Sequence, residues 1–148
     1  MAEIQGEVLI SRPVEEVFDF VADQRNELQY NPRMVRAAKI TGGPVGEGTV
    51  FRSATRSLGR TAGMSIELTG YDRPARLASR TVMRQADIQG TLTFAPAGSG
   101  TRMRWSWQIR PRGAVWLLAP LITWMGRRQE QAIWASMKRY LESTPAAS

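Results

Sequence analysis

The stretch "GAVWLLAPLITWMG", Gly113–Gly126, carries no charged residue, and arginines close it on both sides: Arg110 and Arg112 before it, Arg127 and Arg128 after it. It has the look of a membrane segment with basic flanks. As a helix rising about 1.5 Å per residue it would reach only roughly 20 Å. A bilayer core is about 30 Å thick and takes about 20 apolar residues to cross. Pro120 sits mid-run and cannot donate its backbone hydrogen bond, so it kinks or restarts a helix there. The stretch therefore reads as a buried or interfacial helix. Beyond it Gln129, Ile133, Met137 and Tyr140 or Leu141 recur at helical spacing with charges elsewhere, which makes this second half amphipathic. The first half is apolar all round and needs burial on more than one side.

Such a helix needs a surface to cover, and the chain before it supplies one. "EIQGEVLI" (3–10) alternates apolar Ile4, Val8 and Ile10 with polar Glu3, Gln5 and Glu7, the mark of a half-buried strand. "SRPVEEVFDFVAD" (11–23) then reads as a helix, with Ser11 as cap, Pro13 in the first turn and Glu15 and Glu16 complementing the dipole. Val14, Val17, Phe18 and Val21 form its buried face. A short helical turn follows and ends at Asn31-Pro32. From Val35 to Arg110 the period changes to two. "RAAKITG", "GTVFRSATR", "TAGMSIELTGYD", "LASRTVMR", "DIQGTLTF" and "TRMRWSWQIRP" are six consecutive strands joined by short turns, which demands antiparallel pairing. Met64, Ile66 and Leu68 share one face, as do Ile88, Leu92 and Phe94, and Met103, Trp105, Trp107 and Ile109.

Composition narrows the chemistry. The chain has 148 residues, 43% hydrophobic and 22% charged, which suits a single globular domain over 1–148 with a frayed tail at 144–148. It has no cysteine and no histidine. Thiolate chemistry is excluded, as are the usual general base near neutral pH and the commonest ligand of zinc, copper and non-haem iron. No metal site and no cofactor are expected. The net charge is +7, carried almost wholly by arginine. The N-terminus has acids at Glu3 and Glu7 and no long apolar run, so a signal peptide is not expected and the cytoplasm is the default location.

The order strand, helices, six-strand meander and long C-terminal helix resembles the START-like, helix-grip (SRPBCC) superfamily, and within it the polyketide cyclase/dehydrase and lipid-transport group. The likeness is carried by "ISRPVEEVFDFVADQRNELQYNP", "GEGTVFR", "YDRPARLASR", "GSGTRMRWSW" and "GRRQEQAIWASMKRYLE", and it covers nearly the whole chain. It implies an α+β fold in which a seven-stranded curved antiparallel sheet wraps a long C-terminal helix, with two short helices between strands 1 and 2. It also implies an apolar cavity between sheet and helix. Many relatives carry Trp where Tyr30 stands here, and no family catalytic residue maps onto a position of this chain.

These readings together predict a protein that binds or carries a small hydrophobic or amphipathic ligand, such as a lipid, isoprenoid or polyketide-like aromatic. The pocket would be lined by Tyr30, Phe51, Met64, Ile66, Leu68, Leu92, Met103, Trp105, Trp107, Leu117, Leu121 and Trp124, with Trp116 also in the apolar run and Arg127 or Arg128 holding an acidic group. Trp105 and Trp107 could instead be plain core filling. An enzyme is the weaker expectation; if one, it is a cyclase or dehydratase working without metal. Asp87, Glu67, Asp72 and Tyr71 are the acid/base candidates, and no spacing forces two carboxylates together. The surplus apolar surface of residues 113–126 also suits a homodimer contact or peripheral contact with a membrane. Nucleic acid is not expected: Arg52, Arg56, Arg80 and Arg84 extend a basic convex face, but the aromatics for stacking fall on the other face. In the sheet order that the resemblance implies, the last strand neighbours the first, so Arg102 and Arg104 should pair with Glu3 and Glu7.

Overall fold

Short turns between successive strands leave no room for crossovers, and every pairing is antiparallel. The computed structural model describes residues 2–143, the side chains at 2, 114–116 and 119 excepted. The tail at 144–148 and the side chain of Trp116 thus lie outside the described residues. β1 (Ala2–Ile10), β2 (Met34–Lys39), β3 (Val50–Ser57), β4 (Arg60–Asp72), β5 (Arg76–Met83), β6 (Ala86–Ala97) and β7 (Gly100–Pro111) form one seven-stranded sheet in the order β1-β7-β6-β5-β4-β3-β2. α1 (Val14–Ala22) and a 3-10 turn (Gln24–Gln29) stand between β1 and β2. A second 3-10 stretch (Gly113–Leu118) leads into α2 (Ala119–Ser143), so Pro120 falls in the first turn of a restarted helix, where its missing donor costs nothing. This is the expected helix-grip α+β fold.

The alternation read from the sequence sets the faces. Ile4, Leu92, Phe94, Met103, Trp105 and Ile109 are buried on the concave side. Arg102 and Arg104 point outward and both pair with Glu7, at 3.4 and 3.2 Å, as strand adjacency predicted; Glu3 takes no part in those pairs. Two glycines make room for the tryptophans. Gly6 lies opposite Trp105, and Gly90 lies opposite Trp107. A Cβ on Gly6 would stand 2.3 Å from the Trp105 ring, and one on Gly90 would stand 2.6 Å from the Trp107 ring.

Two local expectations shift. Ser11 does not cap α1: Pro13 occupies that position without a side-chain bond, while the Ser11 N–H donates to Glu142 of α2 at 2.8 Å. The buried stripe of α2 is Trp134, Met137 and Leu141, while Ile133 and Tyr140 are half-buried and Gln129 is exposed. Met137 and Leu141 hold their expected places, while before them the stripe shifts by one residue: Trp134 replaces Ile133, and Glu130 rather than Gln129 looks at the sheet. α2 lies closest to β1, where a Cβ on Gly126 would come within 2.5 Å of Ile4 Cδ1.

The fit of Trp105 over Gly6 is testable. Gly6→Ala should destabilise the protein by about 1–3 kcal/mol, the usual cost of overpacking. Gly63→Ala, in a strand position where the added carbon meets nothing closer than 3.9 Å, should be near neutral. Chemical denaturation of both variants measures the difference.

Candidate functional site

The concave face has a closed end and an open end. At the closed end, Phe18 of α1 meets Phe94 and Tyr71 edge-on, each at 5.2 Å between ring centroids. Met103, Trp105, Met137 and Leu141 complete this core and are all buried. At the other end, the inward side chains of Met64, Ser79, Thr81, Met83, Ile88 and Trp107 are only half-buried although they point into the curl of the sheet. Solvent therefore reaches this part of the floor. Phe51, Ile66 and Leu68 form a second, separate apolar cluster beside it. The Ser53 hydroxyl, on the same concave side of β3, is buried and has no hydrogen-bond partner. A buried polar atom left unpaired costs free energy and marks a place where a further group could bind.

Between the two ends stands a half-buried acidic group that spacing alone did not reveal. Glu130 Oε2 accepts from Trp107 Nε1 at 3.1 Å and from Trp134 Nε1 at 2.7 Å. Trp134 packs on Trp105 at 6.1 Å and on Tyr30 at 6.2 Å. Glu27, on the 3-10 turn, accepts from Asn31 Nδ2 at 3.2 Å. Ser136 donates to the Tyr30 carbonyl at 2.5 Å, which fixes this turn against α2. Burial pushes the Glu27 carboxyl up to about 7; the Asn31 bond opposes that rise, and the charge of Glu130 adds to it. Burial raises Glu130 as well, against the two indole N–H bonds that favour its ionised form. The Tyr30 phenol lies well above its ordinary value through burial and the two nearby carboxylates.

The residues expected to line a pocket fall in separate places. Met64 and Trp107 line the open end, and Phe51, Ile66 and Leu68 flank it. Tyr30, Leu92, Met103 and Trp105 are buried in the closed end. Leu117, Leu121 and Trp124 are exposed, and on α2 both Leu121 and Trp124 fall on the face away from Gly126 and Glu130. Arg127 borders a shallow depression with Glu3 and Gln5 at the outer edge of β1, and Arg128 lies 5.1 Å above the Trp124 ring. Neither guanidinium reaches the sheet floor. Asp87 is tied to Arg112 on the surface, and Glu67 and Asp72 are exposed. Among the described residues no three potential ligands converge as a metal site requires. Glu130 had one readable signal, an acid on the apolar stripe four residues before Trp134.

Residues 1–142 match the sequence pattern of the polyketide cyclase/dehydrase and lipid transport family. The chain belongs to that family. No curated protein shows a recognisable similarity to it. Several solved structures share its fold. A START superfamily protein from Mycobacterium smegmatis superposes with a TM-score of 0.79 at 12% identity, covering 96% of this chain and 98% of that one. A protein of Thermus thermophilus gives 0.78 at 17% identity, covering 96% and 99%. The Zhui aromatase/cyclase from Streptomyces sp. R1128 gives 0.75 at 14% identity, covering 95% and 93%. At these identities the likeness speaks for the fold alone.

The acid pair should be visible in the pH dependence of stability. Glu27 titrates at an ordinary 4.5 when unfolded and at about 7 in the fold. Between those values the folded state holds the extra proton, so stability falls as pH rises through the window. Glu27→Gln keeps the acceptor for Asn31 without the charge. It should be more stable than wild type above pH 7 by on the order of 2 kcal/mol, and the gap should close below about pH 4.5. Thermal melts of both proteins across this range would show it; parallel curves would remove the buried-acid assignment.

Proposed function

We propose that the protein binds a small apolar or amphipathic molecule in the recess between the sheet and α2. The observation that carries this reading is the half-buried floor formed by Met64, Thr81, Met83, Ile88 and Trp107 inside an otherwise closed fold. A fully packed core would bury these side chains completely. The aromatic edge of Trp107 and the flexible methionines suit a flat or isoprenoid ligand. Family membership supports ligand binding in general terms. The polar groups nearest the recess are Ser53, Ser79, Thr81 and Glu130, while Arg127 and Arg128 stand on outer surfaces. A ligand with a hydroxyl or phenol therefore fits better than one with a carboxylate.

A neutral planar phenol such as 2-naphthol should bind about tenfold or more tightly than 2-naphthoate, and Met64→Trp, which fills the recess, should weaken it by about tenfold. Calorimetric titration measures both. No binding of either compound, together with no small molecule recovered in native mass spectra, would overturn the proposal.

The buried acids favour a second reading, a cyclase or dehydratase. A carboxyl that titrates near 7 is suited to move protons at neutral pH. Tyr30 and the indole-bound Glu130 share its electrostatic surroundings. In that case the protein should accelerate deuterium exchange at the central methylene of a β-diketone such as acetylacetone. Glu27→Gln should abolish the acceleration. Exchange equal to that of buffer would remove this reading and leave the binding role.

A further inference from the structure

Helix α2 has a second face that the recess does not use. Leu117, Leu118, Leu121, Trp124 and Met125 are 51–65% exposed. With Gly126, Glu130 and Met137 of α2 turned to the sheet, Leu121, Trp124 and Arg128 fall on the opposite side by helical spacing. A contiguous exposed apolar surface of this kind normally marks a contact site.

The charges around it select the partner. No acidic residue occurs from Ile88 through Gln129. Exposed Arg110 and Arg112 precede the segment, and exposed Arg127 and Arg128 end it. Arg112 is partly neutralised by Asp87, and Arg128 lies over the Trp124 ring at 5.1 Å. A second copy of the chain is a poor match. A two-fold contact would set this face against itself, with arginine facing arginine and no acid on the segment to pair them. A surface that is apolar inside and anionic at its rim is a good match. We propose that residues 117–128 dock on an anionic lipid surface, with Leu121, Trp124 and Met125 entering the headgroup boundary and Arg127 and Arg128 engaging the lipid phosphates. No helix among the described residues is long and apolar enough to cross a membrane, so the contact is peripheral. The docking needs no ligand in the recess and stands apart from the function proposed above.

Flotation with vesicles tests it. The protein should float with phosphatidylcholine/phosphatidylglycerol vesicles, stay behind with phosphatidylcholine alone, and be released by high salt. The double variant Leu121→Glu, Trp124→Glu alters exposed positions and should keep the wild-type melting temperature while losing flotation. Removing Arg127 or Arg128 as glutamine should lower partitioning roughly fivefold each. The proposal fails if wild type does not float with anionic vesicles, or if the double variant floats as well as wild type. It also fails if size-exclusion chromatography shows a dimer that the double variant dissociates.

Discussion

The hydrogen bonds from Trp107 and Trp134 to one carboxylate oxygen of Glu130 join the gripping helix to the floor of the sheet. Much of the interior is organised around that point. Trp107 can lie there only because Gly90 beside it has no side chain, and Trp105 packs next to it over Gly6. On the C-terminal side of Glu130 the helix buries Trp134, Met137 and Leu141 and closes the core. Toward its N-terminus the inward side chains of the sheet stay half-buried. The carboxylate thus stands at the boundary between the fully buried and the half-buried parts of the concave face. An acid is costly there, and two indole donors reduce that cost without supplying a counter-charge.

The same arrangement explains the state of Glu27. It reaches the interior from the 3-10 turn rather than from the sheet, and the turn is held by Ser136 on α2. Two carboxyls near one another in low dielectric disfavour a second negative charge, and burial raises both. Tyr30 shares this field and is driven further from ionisation. The half-buried carboxyls Glu27 and Glu130 lie beneath a strongly basic outer surface. α2 carries both signs, with Glu130 facing in and Arg127 and Arg128 facing out.

The fold was legible because its signals are local. Period-two alternation placed Met103, Trp105, Trp107 and Ile109 on one face, and short turns required antiparallel neighbours. The pairing of Glu7 with Arg102 and Arg104 is not local; it was anticipated only because the family resemblance sets the last strand beside the first. What sequence reading missed depends on distant contacts. The Ser11 N–H is taken by Glu142, from the other end of the chain. The charge of Glu130 reaches Glu27 only because the 3-10 turn is held against α2 through Ser136. The stripe on α2 was read correctly at Met137 and Leu141 but one residue out of phase before them, because its true N-terminal member is a glutamate, which pattern reading assigns to solvent. The apolar surplus of residues 113–126 was plain in the sequence. Its direction was not, since a helix apolar all round has no phase until tertiary packing gives it one.

Burial and ionisation are coupled through the recess. An apolar molecule seated against Trp107 would displace water from around Glu130 and weaken the hydration of its charged form. The neutral form loses less, so occupancy and protonation favour one another. The indole donors oppose this, because both bonds are stronger to a carboxylate than to a neutral carboxyl. The balance depends on how completely the ligand excludes water, and so on its shape at the open end near Met64 and Met83. A flat ligand that leaves Glu130 a path to solvent would barely perturb it. One that seals the recess would have to donate a hydrogen bond to the carboxylate or bind with its proton. In the proposed binding role, physical fit and proton affinity would therefore be one constraint, and the acid that anchors the helix would also set which polar groups a ligand could carry.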